Sequence, residues 1–431
     1  MSETIREIIR DEKLGEEYFR MKHPSGLEIL VFPMPDKVGT YALFTTNYGS
    51  IDTAIVKPDG TSYEIPEGTA HFLEHKMFEM EDGSDAFELF TKTGANCNAW
   101  TSLDYTSYMF AGAGHTKENL ESLLEYVTHP YFSEKTVQKE QGIIGQEIRM
   151  RLDQPGSTVF WNLMSALYKK HPVGIEIAGT EESIFRITAE ILYDCVENFY
   201  TLHNMALVVT GNADPDEVLA VCNAKLEVKP GTSAKRCDWE DTDAPTDSVI
   251  RVQKPMELPL FELGFKEAFE GSAPTYRDML ILELIMDAVA GECSPLYESL
   301  MNDGLVNSIY TEAEWGNGYA VAIYGAESKQ PEVAASRICA EIERVKAQGL
   351  SPETFERSRR RFYAMEVRRF NEDDAVASAL TSCFINGHGL FDRINVLRSL
   401  TLEDIVPVLQ GCMRPGFSVL SIAEPLLAAE S

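Results

Sequence analysis

The sequence predicts an α+β fold of two homologous domains, each a mostly antiparallel sheet with helices packed on one face. Three observations point there. At 431 residues the chain is too long for one compact core. Short β-rich runs and long helical stretches recur in the same order in each half. Between the halves, KPGTSAKRCDWEDTDAPTDS (229–248) is polar, rich in turn formers and poor in periodic apolar residues, as a linker should be. The expected division is 1–228, a linker at 229–248, and 249–431.

The elements follow in order. LEILVFP (27–33) and TYALFTTNYG (40–49) read as strands, because branched and aromatic residues cluster between turn formers. After the breakers Pro66 and Gly68, Thr69 can cap a helix running to about Met80. NCNAWT (96–101) and TSYMFAGAG (106–114) are two further strands. Helical periodicity fills 117–200, broken near His129-Pro130, Pro155-Gly156 and Pro172-Gly174. NMALVVTG (204–211) is a buried strand, followed by a helix from Asp214-Pro215. Beyond the linker come a strand at 260–268, a helix at 276–291, strands near 306–314 and 319–327, helices to about 410, and a strand at 417–423.

With 38 basic against 68 acidic residues, the net charge is −30, which repels phosphate backbones and anionic lipids. Nucleic-acid and membrane partners are therefore not expected, whereas cationic peptides are attracted. The eight cysteines contain no CxxC pair, as in a reducing compartment. The N-terminal segment has no apolar targeting core, and no run is long enough to span a bilayer. A cytoplasmic location is expected.

The chemistry concentrates in GTAHFLEHKMFE (68–79). On a helix, His71 and His75 lie four apart and share a face, so both imidazoles can reach one ion. Glu74 sits beside that pair, placed to act on a water rather than to crowd the metal. A hydrolytic zinc site takes about three protein ligands and keeps one position open. EQGIIGQEIRM supplies Glu140 and Glu147, seven residues and two turns apart on one face. One could bind the ion while the other orients a histidine. His115, His129 and His171 are the competing third ligands, although the last two precede prolines. The second-half helix carries LELIMDAV where the first carries HFLEH, and His388 is the only histidine beyond the linker. Metal chemistry belongs to the first half.

H-x-x-E-H is the inverted zinc signature. With the distal glutamate, it makes this chain resemble the pitrilysin/insulinase family of zinc peptidases, in the mitochondrial-processing-peptidase-like branch. GTAHFLEHKMFE with EQGIIGQEIRM looks most like the bacterial members that carry HxxEH. The resemblance implies a metalloprotease of the LuxS/MPP-like fold, with Zn2+ held by His71, His75 and Glu147. It places the catalytic base at Glu74 and a supporting acid at Glu140. GANCNAWTSLDYTSY (94–108) matches the edge strand that pairs with substrate backbone, so Asn98, Ala99 and Trp100 would align a peptide by β-addition. Phe72 would wall the pocket after the scissile bond. The implied activity is endoproteolysis of short or unfolded peptides.

Members of this family commonly add an Arg and a Tyr from the second domain, in text close to L-R-E-x-x-G-L-x-Y. Here SPLYESLMNDGLVNSIY (294–310) puts Leu300 or Met301 at the arginine position and Asn307 at the tyrosine position. The resemblance then implies a heterodimer, in which a paralogous chain lacking HxxEH brings the missing donors. The alternative is a non-catalytic peptide-binding or scaffold subunit, which would need none of the four zinc-site residues. The basic run SRRRFYAMEVRRF (358–370), with Arg359–Arg361, reads as a solvated helix side paired with acids.

Overall fold

The computed structural model describes residues 4–56, 60–229, 231–232, 234–267 and 275–426. Two compact units emerge, each interleaved in sequence. The first is formed from the described residues within Met1–Ile148, Glu176–Cys237 and Val367–Phe391. The second is formed from those within Arg149–Ile175, Asp238–Glu366 and Asp392–Ser431.

The first unit is built on a seven-stranded sheet. Its strands are β1 (Ile5–Asp11), β2 (Glu16–Lys22), β3 (Glu28–Pro33), β4 (Thr40–Thr46), β7 (Asn96–Thr101), β8 (Thr106–Gly112) and β9 (Met205–Gly211), with β5 (Ala54–Val56) and β6 (Ser62–Glu64) forming a separate small ribbon. The spatial order is β1-β2-β3-β9-β4-β8-β7, antiparallel except for the β3–β9 pair. In the second unit β10 (Val249–Lys254), β11 (Leu260–Lys266), β12 (Tyr310–Gly316), β13 (Tyr319–Glu327) and β14 (Ser418–Pro425) take the order β10-β14-β11-β13-β12. Again a single pair, β10–β14, is parallel. From β3 onward the two sheets share one wiring: in each, the last strand of the repeat lies between its first and second. The two sheets therefore repeat one strand pattern, with β1 and β2 added to the first.

Strand alternation explains where the cores lie. Met205, Leu207 and Val209 of β9 enter the first apolar core, while Thr210 turns to the other face, where its hydroxyl donates to Asp373 O at 2.9 Å. The helix Asp373–Asn386, from late in the chain, packs there against β9, β4 and β3. The second sheet mirrors this. Phe261, Leu263 and Phe265 enter its core, and on the opposite side the helix Pro155–Leu167 packs against β11 and β14. Gly264 admits that helix, since a Cβ would lie 2.7 Å from the Leu163 side chain. Each sheet thus has helices on its core face plus one helix taken from the other half of the sequence.

Most strands fall within a few residues of the sequence expectation. The strand expected at 260–268 ends at Lys266, and Ala268 lies outside the described residues, as do Pro230 and Ser233 of the linker. The hairpin β1–β2 and strand β10 were not anticipated. Helix α1 (Thr69–Lys76) starts differently from the expectation: its N-cap is Gly68 at φ 84°, and Thr69 is its first residue, donating its hydroxyl to Pro66 O at 2.5 Å. A Cβ on Gly68 would lie 2.3 Å from Ala178 O. Gly68→Ala combines left-handed strain with that clash, so it should destabilise by more than about 1 kcal/mol. Thermal denaturation should show the loss, and zinc uptake should weaken with it because α1 starts there.

Candidate metal and peptide site

Helix α1 is buried along almost its whole length, polar residues included. Lys76 is fully buried and pairs with Glu79 just beyond the helix. His71 and His75 leave α1 on one side with ring centroids 4.7 Å apart. The helix Glu134–Asp153 delivers Glu147 to both: its carboxylate oxygens lie 3.5 Å from His71 Nε2 and 3.4 Å from His75 Nε2. One ligand atom from each of His71, His75 and Glu147 falls within 4.8 Å of the others. Two turns earlier Glu140 accepts from His75 Nδ1 at 3.0 Å, which leaves Nε2 of that ring facing Glu147. His71 Nδ1 is buried without a hydrogen-bond partner among the described residues.

The donor set suits a cation. Burial opposes charge on His75, but its hydrogen bonds to Glu140 and Glu147 and the nearby Glu74 outweigh burial and push its pKa up to about 9. Two imidazole nitrogens and a carboxylate are a zinc donor set, and the histidine–Glu140 bond is the usual outer support. The residues present fit the metal.

Glu74 is buried, and its Oε2 accepts from Thr101 Oγ1 at 2.8 Å. Thr101 ends β7, the outermost strand of the first sheet, whose outer backbone edge has no neighbour among the described strands. A cavity of about 540 Å³ opens beside it, bounded by Glu74, His75, Glu140, Asn98, Phe78 and Ile143. Asn98 is exposed and Trp100 half-buried on the outward-facing side of β7, whereas Ala99 is buried in the core. Phe72 is fully buried in the same core. The structure thus gathers His71, Glu74, His75, Glu140 and Glu147 at one place with Asn98 at its rim. Ala99 offers a backbone rather than a side chain, and Phe72 packs inward.

The competing third ligands lie elsewhere. His115 and His129 are exposed beside Glu118 and Glu125, and His171 is buried in the second unit with Nε2 on Asn317 O at 2.8 Å. In the second unit the helix Tyr276–Ala290 carries Glu283 and Asp287 at the same four-residue spacing as His71 and His75. Arginines meet them: Arg393 pairs with Glu283 at 2.5 Å, and Arg361 pairs with Asp287. Arg359 and Arg360 both pair with Glu356. Arg359, Arg360 and Arg361 of the basic run thus each meet an acid, two of them sharing Glu356. Thr101 was missed; its signal is only a hydroxyl at the end of the edge-strand segment.

A duplicated α+β chain whose first repeat alone brings two histidines and a glutamate together has the layout of a metallopeptidase-type chain. Two family descriptions match it: "Insulinase (Peptidase family M16)" over residues 53–181 and "Peptidase M16 inactive domain" over residues 186–362. The chain belongs to the insulinase family, M16. It is 36% identical over 413 residues, 93% of this chain and 95% of the other, to the Bacillus subtilis (strain 168) protein named "Uncharacterized zinc protease YmfH". It is 27% identical over 241 residues, 54% of this chain and 44% of the other, to an Arabidopsis thaliana protein named "Probable mitochondrial-processing peptidase subunit beta, mitochondrial". An M16-like protein of Alicyclobacillus acidocaldarius has the same fold, with TM-score 0.89 and 32% identity over 99% of both chains. No helix among the described residues is long and apolar enough to cross a membrane.

Proposed function

We propose that this chain is the metal-bearing subunit of a zinc-dependent endopeptidase that cleaves short or unfolded peptides. The observation that carries the reading is the set of His71, His75 and Glu147 donor atoms within 4.8 Å of one another. These three would hold the ion. Zinc bound there supplies a Lewis acid that acidifies water and polarises a peptide carbonyl. Glu74 takes the proton of the attacking water and passes it to the leaving amine. Thr101 occupies Glu74 Oε2, so the other oxygen is left for that transfer. Glu140 fixes the ring of His75 through Nδ1.

The open edge of β7 offers backbone N–H and C=O groups to an extended peptide, with Asn98 and Trp100 beside it. Most backbone groups of a folded substrate are already paired, so short or unfolded peptides are the expected class. The division at 1–228, 229–248 and 249–431 is proposed as the boundary of the duplication, supported by the strand order that the two sheets share from β3 onward. A cytoplasmic location is proposed from the acidic balance and from eight free cysteines.

Metal content is the direct test. Purified chain should hold about one zinc, as a three-ligand site predicts. His71→Ala with His75→Ala should remove it; unchanged metal in that double variant would end this reading.

A further inference from the structure

We infer that Arg236, in the polar segment between the two repeats, is a positioning residue for Glu74, acting through the turn that carries Thr101. The inference rests on the reading of Glu74 as the base. Arg236 is nearly buried, with its side chain 14% exposed. Its guanidinium grips Asp52 with both arms, Nε to Oδ1 at 2.7 Å and Nη2 to Oδ2 at 2.8 Å. Nη1 donates to Asn47 Oδ1 at 2.8 Å, and Nη2 lies 3.5 Å from Asp104. Asp52 and Asp104 belong to two different turns, so one planar cation ties them together.

Those turns are also zipped by backbone. Ser50 N donates to Ser102 O and Ile51 N to Leu103 O, both at 3.1 Å. They touch so closely at Gly49 that a Cβ there would lie 2.2 Å from Leu103 O. The second turn, closed by Ser102 N to Tyr105 O at 2.8 Å, joins β7 to β8 and sets Thr101 opposite Thr106. Thr106 Oγ1 donates to Tyr48 O at 2.9 Å, beside the first turn, and lies 3.5 Å from Thr101 Oγ1. Thr101 then donates to Glu74. A continuous set of contacts, none longer than 3.5 Å, therefore runs from the inter-repeat segment to the base. Asp52 and Asp104 are both buried, and two such carboxylates without a cation between them would repel and push apart the turns that carry them.

The test uses the zinc-loaded chain with the paralogous subunit co-expressed. Arg236→Lys keeps the charge but loses the two-armed grip, which spares folding where Arg236→Ala endangers it. Thr101→Val and Thr101→Ser probe the other end. Arg236→Lys and Thr101→Val should each lower kcat about tenfold with KM within about twofold, and Thr101→Ser should restore it. The double variant should be no worse than the poorer single, as expected for one pathway. Zinc should remain at about one per chain in all of them. Independently of activity, Arg236→Lys should speed amide exchange at Ser50, Ile51 and Ser102 about tenfold, while amides of β13 stay unchanged. Full kcat in both singles, losses that multiply, or unchanged exchange at those amides would overturn the inference while leaving Glu74 as base. Activity surviving in Glu74→Gln would instead remove the site reading itself.

Discussion

Glu74→Gln is expected to lower kcat by roughly 10²–10⁴-fold while zinc content and melting temperature stay near those of the parent chain. Glutamine keeps the shape of the side chain, and its carbonyl oxygen can still accept from Thr101 Oγ1, so the packing of α1 is preserved. What it loses is the ability to take a proton from the attacking water. Glu147→Gln should behave in the opposite way. Its carboxylate spans His71 Nε2 and His75 Nε2, so the amide should cost metal affinity first and activity in consequence. Glu140→Gln falls between: it touches only His75 Nδ1, and such outer partners are worth about 10–100-fold in metal affinity. Metal titration and turnover measured on the same three preparations separate the roles. If Glu74→Gln lost its zinc while Glu147→Gln kept full occupancy, the base and the ligand would have been interchanged.

Which side chains of this site share a face is legible in the sequence, because helical spacing alone dictates it, whereas their roles came from the resemblance. His71 and His75 at four apart, and Glu140 and Glu147 at seven apart, had to project together if their segments were helical. The edge role of β7 came instead from the family resemblance, which named Asn98, Ala99 and Trp100 together; the structure puts β7 at the end of its sheet with Asn98 and Trp100 outward and Ala99 in the core. What periodicity cannot report is the identity of the neighbour. Nothing in the apolar pattern of Pro155–Leu167 says that it packs on the sheet of the other repeat, or that Asp373–Asn386 covers β9. Gly68 capping α1 at φ 84° was hidden because a breaker and a cap look alike in sequence. The linker misled for a related reason. Arg236 and Asp241 sit in text that looks solvated, yet Arg236 binds buried Asp52, and Asp241 is itself buried against Lys266 at 2.6 Å. Composition counts charges without revealing which of them are paired.

The isolated chain should be nearly inactive on peptides even when fully loaded with zinc. The developing oxyanion needs a donor besides the metal, and losing one such donor costs about 10²–10³ in rate. In the second unit the positions expected to supply an arginine and a tyrosine are poorly suited to do so. Leu300 is fully buried in the apolar core, where a guanidinium would be costly, while Met301, the other arginine candidate, and Asn307 are exposed but carry neither a cation nor a phenol. Tyr310 does not substitute: its ring crosses Gly325, and its hydroxyl donates to the buried Glu262 at 2.5 Å. The nearby arginines are engaged as well, Arg361 with Asp287, and Arg359 and Arg360 with Glu356. Among these described candidates each donor already has an acceptor. Co-expression with a paralogue that carries the Arg/Tyr pair and lacks HxxEH should therefore raise turnover of an unstructured peptide by at least about 10²-fold, and replacing the partner's arginine should abolish the gain. Robust turnover by the chain alone, lost in Glu74→Gln, would show that a group in this chain supplies the donor after all. Freeing Tyr310 from Glu262 would then be the first rearrangement to look for, because that hydroxyl has only one bond to break.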